Sequence, residues 1–184
     1  MTGAAFDGVE LEMHSHLCVF HHGRAERDDL LIPFLSDGLR RGDACQYFAV
    51  AEEEGDAKRR LGDLGSRLRE HLPEERPQCD GVLDSDAILA ELDDWSEREG
   101  TTCRIAGDMG WVGKSLRSRE QLDALFQHEV NASVWVNRRP VYALCFYDLD
   151  VFDGDVIVPM VKAHPQIWMT GVLVENPYHQ QPAV

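Results

Sequence analysis

No stretch of this chain reaches the roughly 20 consecutive apolar residues that a membrane-spanning helix needs. The opening MTGAAFDGVELEM lacks a basic segment followed by an apolar one, so no secretory signal is visible. Cysteines are few and scattered, at positions 18, 45, 79, 103 and 145. Their number is odd and no two form a CxxC pair, which argues against a disulfide framework and for a reducing cytoplasm. Cations are also scarce: 18 Lys and Arg are dispersed among 33 acids, giving a net charge of −15. That leaves no basic face for nucleic acid or an anionic membrane. The common catalytic signatures GxGxxG, GxSxG and HExxH are missing. So is GxxxxGK[ST]; where a phosphate loop would sit, the chain reads HHGRAERDD, whose acids repel a triphosphate. Nothing here favours an enzyme.

What is present fits a single globular domain. The 184 residues are 43% hydrophobic and 28% charged, enough for one sizeable core. Residues 1–13 read as a loosely ordered leader and residues 179–184 as a tail. HLCVFHH, ACQYFAVA, the CRIA segment, PVYALCFYDLD and QIWMTGVLVEN read as strands. Amphipathic helical segments lie between them. One contains Leu30, Leu31, Phe34, Leu35 and Leu39 at helical spacing, with Pro33 expected in its first turn. Another, weakened by glycines, covers EGDAKRRLGDLGSRLREHL. A later one starts at Ser118 as N-cap, with Gln121 three residues on. Strands alternating with helices predict an α/β fold, a mainly parallel sheet with helices on both faces.

In such sheets ligands bind beyond the carboxyl ends of the strands. That rule gathers His21 after the first strand, Asp108 and Trp111 after CRIA, and Tyr147 and Asp148 after YALCFY. His16 and Cys18 share one face of the first strand, with side-chain bases about 6–7 Å apart. Carboxylates and imidazoles on an aromatic wall make an expected small-molecule crevice of His16, Cys18, His21, Asp108, Trp111, Tyr147 and Asp148. A second expectation uses His16, Cys18 and Cys145, with His164, as ligands for a metal such as zinc or for haem iron. Glu129, on the fourth helix, fits an inward or a solvated face equally well. A ligand-free interaction module is the third alternative.

Six motifs in order resemble the MEDS family of sensory domains, named for methanogens, methylotrophs and a dichloromethane-responsive regulator. They are HLCVFH, PFLSDGLRRGD, GDMGW, LCFYD, His164–Pro165 and ENPY, spanning residues 14–178. His21 stands where an aromatic is usual, and Asp108 where the family has Glu. The resemblance implies a RecA- or KaiC-like three-layer core without its nucleotide loop. It also implies a non-catalytic input domain that senses a small organic molecule. Such domains pass the signal to a regulatory partner: a kinase, an anti-sigma protein or a transcription regulator. The expected location is the cytoplasm.

Overall fold

The computed structural model describes residues 3–79, 82–113, 116 and 118–180. Strands β1 (Ala4–Phe6), β2 (Val9–Leu11) and β3 (His16–His21) lead into helix α1 (Gly23–Arg41). Then come β4 (Ala44–Phe48), α2 (Asp56–Leu61), β5 (Arg69–His71), the short strands β6 (Gln78–Cys79) and β7 (Val82–Leu83), and α3 (Ser85–Glu99). The rest comprises β8 (Cys103–Asp108), α4 (Gly110–Gly113), α5 (Arg119–Val136), β9 (Val141–Asp148), α6 (Gly154–Ala163), β10 (Gln166–Met169) and β11 (Val172–Glu175). Among the described residues the main sheet has seven strands in the order β11-β10-β3-β9-β8-β4-β5. Every pairing in it is parallel except that of β10 with β11. The expected α/β class and mainly parallel sheet are what the chain adopts.

Side-chain alternation sorts the core into two layers. Leu17, Val19, Leu144, Phe146 and Tyr47 face α1, α2 and the β1–β2 hairpin. Cys18, Phe20, Tyr147, Ile105 and Ala143 face α3, α5 and α6. The central strands β3 and β8 are buried along their whole length, as a parallel strand covered on both faces must be.

Local chemistry sets the helix ends. Ser118 caps α5 by accepting from Gln121 N–H, and Asp84 caps α3 by accepting from Ala87 N–H. Gly42 closes α1 in the left-handed conformation at φ 88°, where a side chain would be strained.

Four expectations need correction. The leader is not loose: residues 4–11 form a hairpin that buries Ala4, Phe6 and Leu11, with Phe6 against Phe34 and Trp168. Helix α1 starts straight after β3, which places Pro33 in its interior rather than its first turn. The glycine-weakened helix stops at Gly62, and its last residues form β5. The final strand is a hairpin, turned at Thr170 and Gly171. Of the expected leader and tail, residues 1–2 and 181–184 lie outside the described residues.

One packing contact is tight enough to predict from. A Cβ on Gly38 would lie 2.5 Å from both Cδ and Nε of Arg104. Arg104 is fully buried and held by Asp37, Asp43 and the Phe34 carbonyl, so it cannot yield. Gly38→Ala is expected to cost about 1–3 kcal/mol in urea unfolding. An unchanged midpoint would contradict this packing.

Candidate functional site

The face of the sheet under α5 and α6 carries a cluster of buried polar side chains. β3 and β9 pair in register, with His16 beside Ala143, Cys18 beside Cys145, and Phe20 beside Tyr147. Helix α5 lays Glu129 and Ser133, one turn apart, over these strands, and α6 ends at His164. Glu129 is the centre. Its Oε2 lies 3.4 Å from His16 Nε2, 3.3 Å from His164 Nε2 and 3.4 Å from Cys145 Sγ. Its Oε1 accepts from the Tyr147 hydroxyl at 2.5 Å. His16 Nε2 and Cys145 Sγ are 3.5 Å apart, and the two imidazole rings stand 4.3 Å apart.

Burial governs the protonation of these groups. Burial, reinforced by neighbouring His164, pushes His16 down to about 4. Burial, then the facing Glu129 carboxylate, drives the Cys145 thiol and the Tyr147 hydroxyl well above their usual ranges. Burial alone would raise Glu129, but the imidazoles of His164 and His16 hold it well below the usual carboxylate range.

Beside this cluster lies a cavity of about 100 Å³. His16, Glu129 and Cys145 form part of one wall. Ile88, Leu92, Ile105 and Met109 supply apolar lining, and Trp111 and Arg76 complete it. The Arg76 guanidinium stacks on the Trp111 ring at 4.3 Å and lies 5.4 Å from that of Phe48. It is 7% exposed, and its Nη2 donates to the Ala49 carbonyl. Its Nε and Nη1 have no hydrogen-bond partner. Burial lowers the Arg76 pKa to about 10, so the group stays a cation at neutral pH.

The expected crevice is not assembled as one rim. His16 and Trp111 line the cavity, and Cys18 and Tyr147 lie in the apolar cluster beneath α5 and α6. His21 and Asp108 point to the opposite face. His21 donates from Nδ1 to the Gly23 carbonyl and packs on Phe146. Asp108 is buried against Arg27, which also binds Asp28 and Glu53. Asp148 caps the turn after β9, accepting from the Gly23 and Asp150 amides. The sheet's alternation separates them: neighbouring positions at a strand end point to opposite faces.

Of the expected metal ligands, His16, Cys145 and His164 do converge, all within 4.8 Å together with Glu129. Cys18 is replaced in that group by Glu129, because it sits one pair further along β3, among Leu125 and Met160. A haem macrocycle has no room in about 100 Å³. Sequence reasoning missed Ser133, Arg76 and Arg27 as site or network residues. For Glu129 and Ser133 a signal exists: with Leu125 they make an i, i+4, i+8 row on the buried face of α5.

The fold and the buried site define an α/β domain with a mainly parallel sheet, the Arg27 ion-pair network on one face and the Glu129 cluster on the other. The family model for MEDS, the MEthanogen/methylotroph, DcmR Sensory domain, matches residues 15–165, and the chain belongs to that family. It is 30% identical over 169 residues to the transcriptional repressor DcmR of Methylorubrum extorquens. That alignment covers 85% of this chain and 60% of the relative, so the chain spans less than two thirds of the repressor's length. A KaiC-like protein from Pyrococcus horikoshii OT3 superposes with a TM-score of 0.58 at 8% identity. The match covers 88% of this chain and 73% of that one, and it shows the fold. Membership of that family makes the chain a sensory domain. Among the described residues no helix is long and apolar enough to cross a membrane.

Proposed function

We propose that this domain senses a small organic anion held in the cavity between the sheet and helices α3 and α5. The occupied state is then read by a separate regulatory protein in the cytoplasm. The observation that carries the reading is Arg76. A buried guanidinium with two donor nitrogens unpaired, on the wall of an apolar cavity, is a costly arrangement without an acceptor. A carboxylate supplies the negative charge and the acceptor oxygens that this guanidinium lacks. The apolar lining takes the ligand's carbon stem.

The volume sets the size. A cavity of about 150 Å³ holds benzene, so about 100 Å³ admits roughly four to six non-hydrogen atoms. Acetate, propionate and butyrate span that range.

A thermal-shift series tests the reading. At a hundredfold excess over Kd, the best-fitting acid adds about 2.7 kcal/mol, or roughly 5–10 °C in Tm for a domain of this length. The corresponding alcohols and amines give no such shift, and Arg76→Met removes it. A shift that alcohols match, or that Arg76→Met leaves intact, would overturn the anion assignment.

A further inference from the structure

The buried cluster beside the cavity brings two imidazole nitrogens, a carboxylate oxygen and a thiol sulfur within 4.8 Å of one another. His164 Nδ1 lies 2.8 Å from the Met160 carbonyl oxygen, which can only accept. Nδ1 therefore carries the proton, and in the neutral ring Nε2 is a bare lone pair. That Nε2 is fully buried, makes no hydrogen bond, and faces Glu129 Oε2. His16 is fixed the same way. The Ser133 hydroxyl donates towards the Glu129 and Ala163 carbonyls, so its oxygen accepts from His16 Nδ1–H at 2.7 Å. The His16 Nε2 lone pair then also points at Glu129 Oε2 and Cys145 Sγ. Tyr147 donates to Glu129 Oε1, while Oε2 faces both imidazoles and the Cys145 thiol.

With the imidazoles neutral and the thiol proton released, two nitrogens, a carboxylate oxygen and a sulfur meet at one point, each with an electron pair to give. Their separations carry independent weight. Zinc bonds of about 2.0–2.3 Å in a tetrahedron put neighbouring donors roughly 3.3–3.7 Å apart. Four of the six separations among Glu129, His16, His164 and Cys145 are 3.4, 3.3, 3.4 and 3.5 Å, and all six lie within 4.8 Å. The outer contacts match as well. Metal-bound histidines hand their second N–H to a carbonyl or another acceptor, as His164 does to Met160 and His16 to Ser133.

We propose that His16 Nε2, His164 Nε2, Glu129 Oε2 and Cys145 Sγ bind one divalent transition metal of zinc's class. Nitrogen and sulfur donors disfavour calcium and magnesium, which take oxygen ligands. Cys145 binds as the thiolate and releases its proton to solvent. Because His16, Glu129 and Cys145 also line the cavity, an occupant of the cavity lies beside the metal. The metal assignment stands on the four donors and does not depend on the ligand held by Arg76.

The test uses the full chain, stripped with chelator under reducing conditions and titrated with Zn(II) or Co(II) in the absence of any organic acid. The expected result is one metal per chain and a thiolate-to-cobalt charge-transfer absorption. Cys145→Ser abolishes that absorption, and His164→Gln weakens binding by at least about tenfold. Cys18→Ser and Arg76→Met keep both stoichiometry and spectrum. Circular dichroism reports folding; if His164→Gln fails to fold, the near-isosteric Cys145→Ser carries the result. Lack of stoichiometric uptake would overturn the proposal and leave a buried proton-bridged network. Uptake that a folded Cys145→Ser leaves unchanged would also overturn it, since the metal would then sit elsewhere. Neither failure touches the anion reading, which is scored separately by Arg76→Met.

Discussion

Replacing Arg27 with Met is expected to cost the domain about 3–5 kcal/mol, the largest single loss from a charged position. Arg27 is 4% exposed and pairs at once with Asp108, Asp28 and Glu53. Asp28 keeps Arg24 and Arg60, and Glu53 keeps Arg24, when Arg27 is lost. Asp108 keeps the Gly110 amide but has no other ion pair among the described residues, so its carboxylate remains in the interior without a cation. Asp108→Asn in the Arg27→Met background removes that charge and should recover a large part of the loss. Urea unfolding of the single and double variants measures it. A single-variant loss under about 1 kcal/mol would mean the network behaves like an exposed ion pair. Helix α1 opens right after β3, where its N-terminus could face a phosphate, but Arg27 and its acids already fill and neutralise the neighbourhood.

Trp168→Ala is the other large effect, again about 3–5 kcal/mol. Trp168 is 2% exposed on β10 and meets the Phe6 ring edge-on, with centroids 5.1 Å apart. The indole joins three parts of the fold: the sheet edge, the N-terminal hairpin and α1 through Phe6 and Phe34. Tm is expected to fall by roughly 6–20 °C. Deleting residues 1–11 should make the Trp168→Ala loss smaller, because the hairpin side of the contact is already gone. Equal losses in both backgrounds would show that the hairpin does not support the tryptophan.

Much of the architecture was legible in the sequence, and the reasons are physical. The strands β3, β8 and β9 are short apolar runs bounded by glycine, proline and aspartate, and central parallel strands have that composition. The N-terminal hairpin was not legible. Its strands are only three residues each, too short for a period, and Phe6 and Leu11 gain their meaning from Trp168, far away in sequence. The β10–β11 turn was hidden because Trp-Met-Thr-Gly-Val reads as continuous strand until Gly171, at φ 81°, reverses it.

The site divides along the same line. His16, Cys145 and His164 stand out by residue type, and they do meet. Glu129 could not be placed because helix rotation decides whether a carboxylate faces solvent or core, and a glutamate usually faces solvent. Asp108 and Asp148 looked like ligand donors because they end strands. Their partners, Arg27 and the Gly23 amide, come from a different element, which one-dimensional spacing cannot show. Arg76 lies in a turn-rich segment with no periodicity, so its burial between Trp111 and Phe48 leaves no trace in the sequence.

On the proposed reading, Arg76 receives an organic anion inside the cavity. This is tested most directly by following the Arg76 Nε–H resonance in a nitrogen-15 NMR titration with propionate. The expected result is a large, saturable shift of that one side-chain signal, accompanied by the Trp111 indole, and its absence with propanol. An Arg76 signal that stays fixed while propionate is added to saturation of any other site would contradict it.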